Sequence, residues 1–201
     1  MSDVKRMSDV KRMSNGERIP EAGRMSDMST KRVRTHTVVD SPIGPLTLVN
    51  SDGVLSGLYM DGQNHRPDPS RFGSEISAGF EQAVRELDEY FSGVRRTFSV
   101  PLCPSGTAFE RSIWRLLTQI PYGHTRSYGE LAHAVGGEDA DWTLARMVGT
   151  AVGHNPIGVV IPCHRVIGAD GSLTGYAGGL ERKAFLLDLE NPSPMAEQTL
   201  F

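Results

Sequence analysis

Apolar positions change period twice along the chain and divide it into three stretches. Up to about Arg34 there are few large apolar residues and no periodicity, and the hexapeptide Met1 to Arg6 repeats letter for letter over Met7 to Arg12. Such a stretch cannot bury enough surface to offset its ordering entropy, so 1–34 reads as a disordered basic tail. From Thr35 come short runs rich in β-branched residues, Thr35 to Val39, Pro45 to Asn50 and Val54 to Met60, separated by Asp40 to Gly44 and Ser51 to Gly53. Turn residues between such runs predict a meander of antiparallel strands. After a polar loop, Asp61 to Gly73, the residues Phe80, Val84, Leu87 and Phe91 recur at helical spacing and stop at Gly93. That helix would cover the sheet. Arg95 to Ser105 reads as a proline-containing connector, and Cys103 within it as an incidental thiol.

The third stretch is helical. Thr107-Ala108-Phe109-Glu110 has the form of a capping box, and Phe109, Ile113, Leu116 and Ile120 make one stripe before Pro121-Tyr122-Gly123 ends it. Ser127-Tyr128-Gly129-Glu130 is a second capping box, opening a short helix with Leu131 and Val135 inward and Gly136-Gly137 at its close. A third helix runs from about Asp141 to Val152, with Leu144, Val148 and Val152 on one face, and a last one covers Leu180 to Glu190. The middle pair, joined by a glycine turn, has the form of a helix-turn-helix. The fold class is α/β of the α+β type, divided as a tail (1–34), an amino-terminal α/β domain with its connector (35–104), a helical domain (105–192) and a short tail (193–201).

Charge sharpens the question of partners. The chain of 201 residues carries a net charge of −3, but nine Lys or Arg against five acids in 1–34 leave the remainder clearly acidic. An acidic body argues against strong non-specific nucleic-acid binding, so any DNA contact would be local. No apolar run approaches the ~18 residues of a membrane span, and the basic amino terminus has no apolar centre, so neither a membrane protein nor a secretory signal is expected. The two cysteines, Cys103 and Cys163, match no zinc spacing. A disulfide between them stays open, but free thiols in a cytoplasmic protein are the simpler reading.

Candidate chemistry gathers at Ile161-Pro162-Cys163-His164-Arg165-Val166. An imidazole beside a thiol can hold its proton and a neighbouring cation favours the thiolate, although a lone cysteine is also a common small hydrophobe. On an extended chain Cys163 and His164 would point to opposite sides, so a turn or a bridging water is needed for both to serve one pocket. Tyr128, at the first turn of its helix, either packs its ring there or offers a phenol beside free backbone amides. Gly175, Gly178 and Gly179 around Tyr176 suit an ordinary turn or a loop closing over a ligand.

Residues 107 to 190 resemble the O6-alkylguanine-DNA alkyltransferase family, in the Pro162-Cys163-His164-Arg165 signature, the preceding Gly153-His154-Asn155-Pro156 and the following Gly175-Tyr176-Ala177-Gly178-Gly179-Leu180. The resemblance implies a ribonuclease H-like amino-terminal domain and a winged-helix-like carboxy-terminal domain. It implies DNA repair by one irreversible transfer of an alkyl group from O6-alkylguanine, and O4-methylthymine too, in double-stranded DNA to Cys163, by a monomer without cofactor. In that reading Arg146 fills the stack behind an extruded base, with Ser127, Tyr128, Ala151 and Gly153 also at the DNA. His164 acts on the sulfur, Glu190 orients His164, Asn155 pins the turn before the active-site strand, and Tyr128 donates to the leaving purine. Val166, Tyr176, Ala177, Gly178 and Gly158 line the base pocket, while Arg165 makes a structural contact. The zinc site of some members needs cysteines, and none lies between Thr35 and Cys103, so no metal is expected. A lesion-binding protein without transfer and a cysteine hydrolase using Cys163, His164 and Glu190 are the competing classes.

Overall fold

The computed structural model describes residues 32–191. The tails expected over 1–34 and 193–201 fall outside that range except for residues 32–34, of which Val33 exchanges hydrogen bonds with Asp52 and Arg34 opens the first strand. β1 (Arg34–Val39), β2 (Leu46–Ser51) and β3 (Val54–Met60) form the expected meander. Gly44 and Gly53 take the left-handed backbone its turns need, at φ 92° and 81°. A two-residue strand, β4 (Ser74–Glu75), pairs parallel to β1, so the sheet runs β3-β2-β1-β4 and is mixed. The purely antiparallel expectation missed it because two residues after a polar loop carry no periodic signal.

Side chains alternate across the sheet. Leu46, Leu48, Leu55 and Leu58 join the main core, while Val49, Tyr59 and Phe72 form a small cluster, with the Tyr59 and Phe72 rings stacked at 5.3 Å. α1 (Glu81–Phe91) packs into the main core, but its inward face is rotated from the predicted one. Ala83, Glu86, Leu87 and Tyr90 are buried, and Val84 and Phe91 are only half-buried. The stripe was misread because Glu86 and Tyr90 are polar. Glu86 is satisfied inside by the Ser99 and Val100 amides at 2.7 and 3.2 Å.

The outer edge of β3 is covered by two passing segments. Cys103 N–H donates to the Leu55 carbonyl at 2.8 Å, and Leu58 N–H donates to the Pro156 carbonyl at 2.8 Å. Unpaired strand edges are blunted in this way, and here the docking also ties the second half of the chain to the sheet.

α2 (Ala108–Leu117) and α3 (Tyr128–Gly136) begin at Thr107 and Ser127, and both capping boxes form as expected. In α2 the buried side chains are Ile113, Trp114 and Leu117, with Phe109 and Leu116 half-buried. In α3 Leu131 and Ala132 are inward, while Val135 is 39 % exposed, contrary to expectation. α4 (Trp142–Gly153), capped by Asp141, completes the helix-turn-helix. β5 (Arg126–Ser127) and β6 (Val166–Ile167) pair in parallel, and α5 (Leu180–Glu190) closes the fold. One continuous core runs from Leu46 and Tyr90 through Trp114 and Val148 to Val166 and Leu186.

Candidate active site

The signature segment is not a strand. Ile157 makes a single parallel bridge to Leu58, Val159 sits at φ 66°, and Cys163–Arg165 is a 3₁₀ turn leading into β6. The expected active-site strand is therefore replaced by a turn, which removes the alternation that would have separated Cys163 from His164. Asn155 holds this turn from behind. Its side-chain nitrogen donates to the Ile161 carbonyl at 2.8 Å and to Cys163 Sγ at 3.1 Å, while its oxygen accepts from Ile157 N–H at 3.1 Å. The backbone contacts follow the expectation for Asn155, and the contact to sulfur adds to it.

Glu190 is the centre of a buried polar cluster. Its Oε1 accepts from His164 Nε2 at 2.8 Å, Tyr90 OH at 2.7 Å and an Arg165 terminal nitrogen at 2.9 Å. Its Oε2 accepts from Arg165 Nε at 2.8 Å and Gly123 N–H at 3.1 Å. Burial alone would raise the carboxyl, but the hydrogen bonds of His164 and Arg165 and the Arg165 charge outweigh it and hold Glu190 at about 2. A carboxylate can only accept, so His164 carries its proton on Nε2. That leaves Nδ1, buried and without a protein partner, as the basic nitrogen. Burial also lowers the His164 pKa, against Glu190, so the ring rests neutral.

Arg165 is turned onto Glu190 and the Ile120 carbonyl, away from the thiol. The cation whose charge favours the thiolate is instead Lys183, whose Nζ donates to the Val166 and Thr174 carbonyls, each at 2.6 Å. Burial lowers Lys183 to about 8, a shift that a Cys163 thiolate would oppose. Cys163 is 7 % exposed, and burial pushes its thiol up, against the Asn155 hydrogen bond and Lys183. The resting sulfur is thus a protonated thiol, not the thiolate that the Cys-His-Arg order suggested.

Cys163 nonetheless lines a cavity of about 210 Å³ together with Tyr128, Gly149, Val152, Gly153, Gly175, Tyr176 and Ala177. The volume suits one nucleobase rather than a stacked pair. Ser127 pairs with Ile167 in the β5-β6 ladder, so the next residue, Tyr128, enters the cavity where α3 begins. The phenol lies 3.4 Å from the Gly175 carbonyl, and burial raises its pKa against a hydrogen bond to Thr174, so it stays a donor.

Three expected pocket residues stand elsewhere. Gly158 is buried against β3, where a Cβ would touch Met60 and the Leu58 carbonyl. Gly178 lies so close to Met60 Sδ and the Tyr176 ring that a Cβ has no room. Val166, expected to line the pocket, is buried outside the cavity lining, and its carbonyl accepts from Lys183. Of the residues expected at DNA, Arg146 is exposed on α4 with its guanidinium 5.7 Å from the Trp142 ring centroid. Ser127 is spent on the capping box, Gly153 lines the cavity, and Ala151 is buried with its carbonyl accepting from Trp114 Nε1 at 2.8 Å. Ala151 therefore lies off the exposed side of α4.

Sequence reasoning assigned no chemistry to the amino-terminal half, yet Asn64 and His65 border the cavity and Tyr90 reaches Glu190. It also missed Lys183. Lys183 and Glu190 are seven residues apart, two turns of α5, on the face that buries Leu186. That spacing was the available signal. Among the described residues no three His, Cys, Asp or Glu side chains converge as a metal site, and no helix is long and apolar enough to cross a membrane.

Comparison with known proteins follows the same division. The family description "6-O-methylguanine DNA methyltransferase, DNA binding domain" matches residues 108–192, and "6-O-methylguanine DNA methyltransferase, ribonuclease-like domain" matches 35–104. A methylated-DNA--protein-cysteine methyltransferase of Mycolicibacterium paratuberculosis is 51% identical over 167 residues, covering 83% of this chain and 98% of the relative. One from Methanosarcina acetivorans is 44% identical over 156 residues, 77% of this chain and 97% of its own. The crystal structure of Mycobacterium tuberculosis OGT in complex with DNA superimposes with a TM-score of 0.70 at 47% identity, covering 78% of this chain and 92% of that one.

Proposed function

The chain belongs to the 6-O-methylguanine DNA methyltransferase family, enzymes of DNA repair in which a protein cysteine accepts the methyl group, and we propose that here Cys163 takes the alkyl group from an O6-alkylguanine swung out of double-stranded DNA, once per molecule. The observation that carries this reading is the sulfur on the wall of a cavity of one-base size, bordered by the start of α3 and the end of α4. A carbon on guanine O6 lies within the stack, where no thiol can line up behind it, so the base must leave the helix first. Extrusion costs less for a damaged pair, which favours lesions without any reading of sequence.

The chemistry balances as one displacement. The Cys163 proton passes through one water to Nδ1 of His164, which has no hydrogen-bond partner among the described residues, and the imidazolium so formed is stabilised by Glu190. The sulfur lone pair forms the S–C bond as the C–O6 bond breaks, and the electrons return to the purine, which takes a proton from Tyr128. The imidazolium proton returns to the Tyr128 phenolate through water, so that unmodified guanine in the DNA and an S-alkyl cysteine result with His164 and Tyr128 both neutral again. A thioether has no reasonable leaving group, and Cys103, the other thiol, pairs through its backbone with β3, away from the cavity lining. Turnover therefore ends at one. O4-methylthymine presents the same exocyclic ether and falls within this reading, as does action by a cytoplasmic monomer.

Arg146 is the side chain proposed to fill the place of the extruded base, a role that suits a protein with few phosphate-binding cations. The Arg146→Ala enzyme should repair duplex DNA at least about ten-fold more slowly, because one inserted side chain contributes a few kcal/mol to keeping the base out. Its reaction with free O6-methylguanine should be unchanged. Single-turnover rates on the two substrates check this, and equal losses on both would count against extrusion.

A further inference from the structure

We propose that Tyr90 is a positioning residue for the reaction: its hydroxyl, carried by α1 of the amino-terminal half, fixes Oε1 of Glu190 and through it the ring of His164. This rests on the proposed role of His164 toward Cys163. Tyr90 is fully buried at 0 % exposure, its OH donates to Oε1 at 2.7 Å, and its oxygen stands 3.5 Å from His164 Nε2. Among the described residues, every other donor to Glu190 comes from residues 123 to 165. Arg165 Nε and Gly123 fix Oε2, whereas Oε1, the oxygen that meets His164, has Tyr90 as its only donor from the sheet-bearing half.

A phenol has one proton. Burial, the Glu190 charge and the hydrogen bond all push its pKa well above the usual range, so that proton stays and goes to Oε1. Tyr90 then cannot donate to Nε2, and His164 must use its own Nε2 proton toward Glu190. The phenol thereby helps hold the tautomer whose free nitrogen is Nδ1. Fixing a base in one orientation is worth a share of the rate that general-base catalysis supplies.

The test uses the full chain with Tyr90→Phe, which keeps the ring contacts to Phe91 and Phe98, both at 5.3 Å, and removes one oxygen. Two rates are measured, modification of Cys163 by iodoacetamide without DNA and transfer from an O6-methylguanine duplex, along with the ring ¹⁵N and Nε2–H resonances of His164. Both rates should fall about ten-fold, and the Nε2–H signal, sharp in the wild type, should broaden by exchange. Unchanged rates and ring signals, with any loss confined to thermal stability, would overturn the proposal. So would a wild-type His164 protonated on Nδ1, which decides the matter even if the variant folds poorly. A slower iodoacetamide reaction in the variant, with no transfer from DNA by the wild type, would sink the proposed function and leave Tyr90 in its role.

Discussion

At the scale of single residues, the proposed chemistry depends on Glu190 staying an anion inside the protein. Five hydrogen bonds reach its two oxygens, and its pKa is held at about 2. A carboxyl whose folded pKa lies below its unfolded value of 4.5 adds stability that is present above that value. The contribution disappears as pH falls from about 4.5 toward 2. Glu86, also held at about 2, acts in the same window, so the wild type should lose stability there through two groups. Glu190→Gln removes one of them and leaves Arg165 buried without its counter-charge, at a cost of about 3–5 kcal/mol near neutral pH. Urea unfolding between pH 2 and 7 should show the variant less stable at pH 7 and its acid decline shallower. Parallel curves for the two proteins would mean that Glu190 is protonated in the native state.

Elements place those residues, and α3 shows how. Ser127 ends β5 and caps α3, so one residue joins a ladder beside the reactive turn to the helix that carries Tyr128. Ser127→Ala should cost about 1 kcal/mol of stability and slow transfer by more than that loss explains, because the phenol then starts from a frayed turn. A melting curve and a single-turnover rate measured together test this, and a full transfer rate in a destabilised protein would detach the cap from the site. Both capping boxes and the limits of α5 were legible because Thr107 with Glu110, Ser127 with Glu130, and Gly179 before Leu180 are local chemistry. The inward faces of α1 and α2 were less so. Polar Glu86 and Tyr90 were set outside by a rule that counts apolar positions, whereas the core accepts them because each finds partners there. The turn at Cys163–Arg165 was hidden because Val159, Val160 and Ile161 look like a strand. Local backbone bonds such as Ile161 N–H to the Ile157 carbonyl and Cys163 N–H to the Ile161 carbonyl, with the Leu58 and Asn155 contacts, bend the chain instead.

In the whole molecule the two halves share one core and one site. The family resemblance made Cys163, His164 and Glu190 legible as a set, but not that the sheet half supplies Asn64 and His65 to the cavity and Tyr90 to Glu190. Those contacts span 74 and 100 residues of sequence for Tyr90 alone, a separation at which spacing carries no information. The burial that joins the halves also keeps the Cys163 thiol protonated at rest, which spares an enzyme of one turnover from stray electrophiles. The most direct check is the mass of the intact protein after incubation with duplex DNA containing O6-methylguanine. The account predicts a gain of a single methyl group per molecule, mapped to Cys163 and absent in Cys163→Ser, with that variant still binding the lesion. An unchanged mass would contradict it, pointing to a lesion binder if the DNA also stayed methylated, or to a hydrolase if product kept accumulating beyond one equivalent.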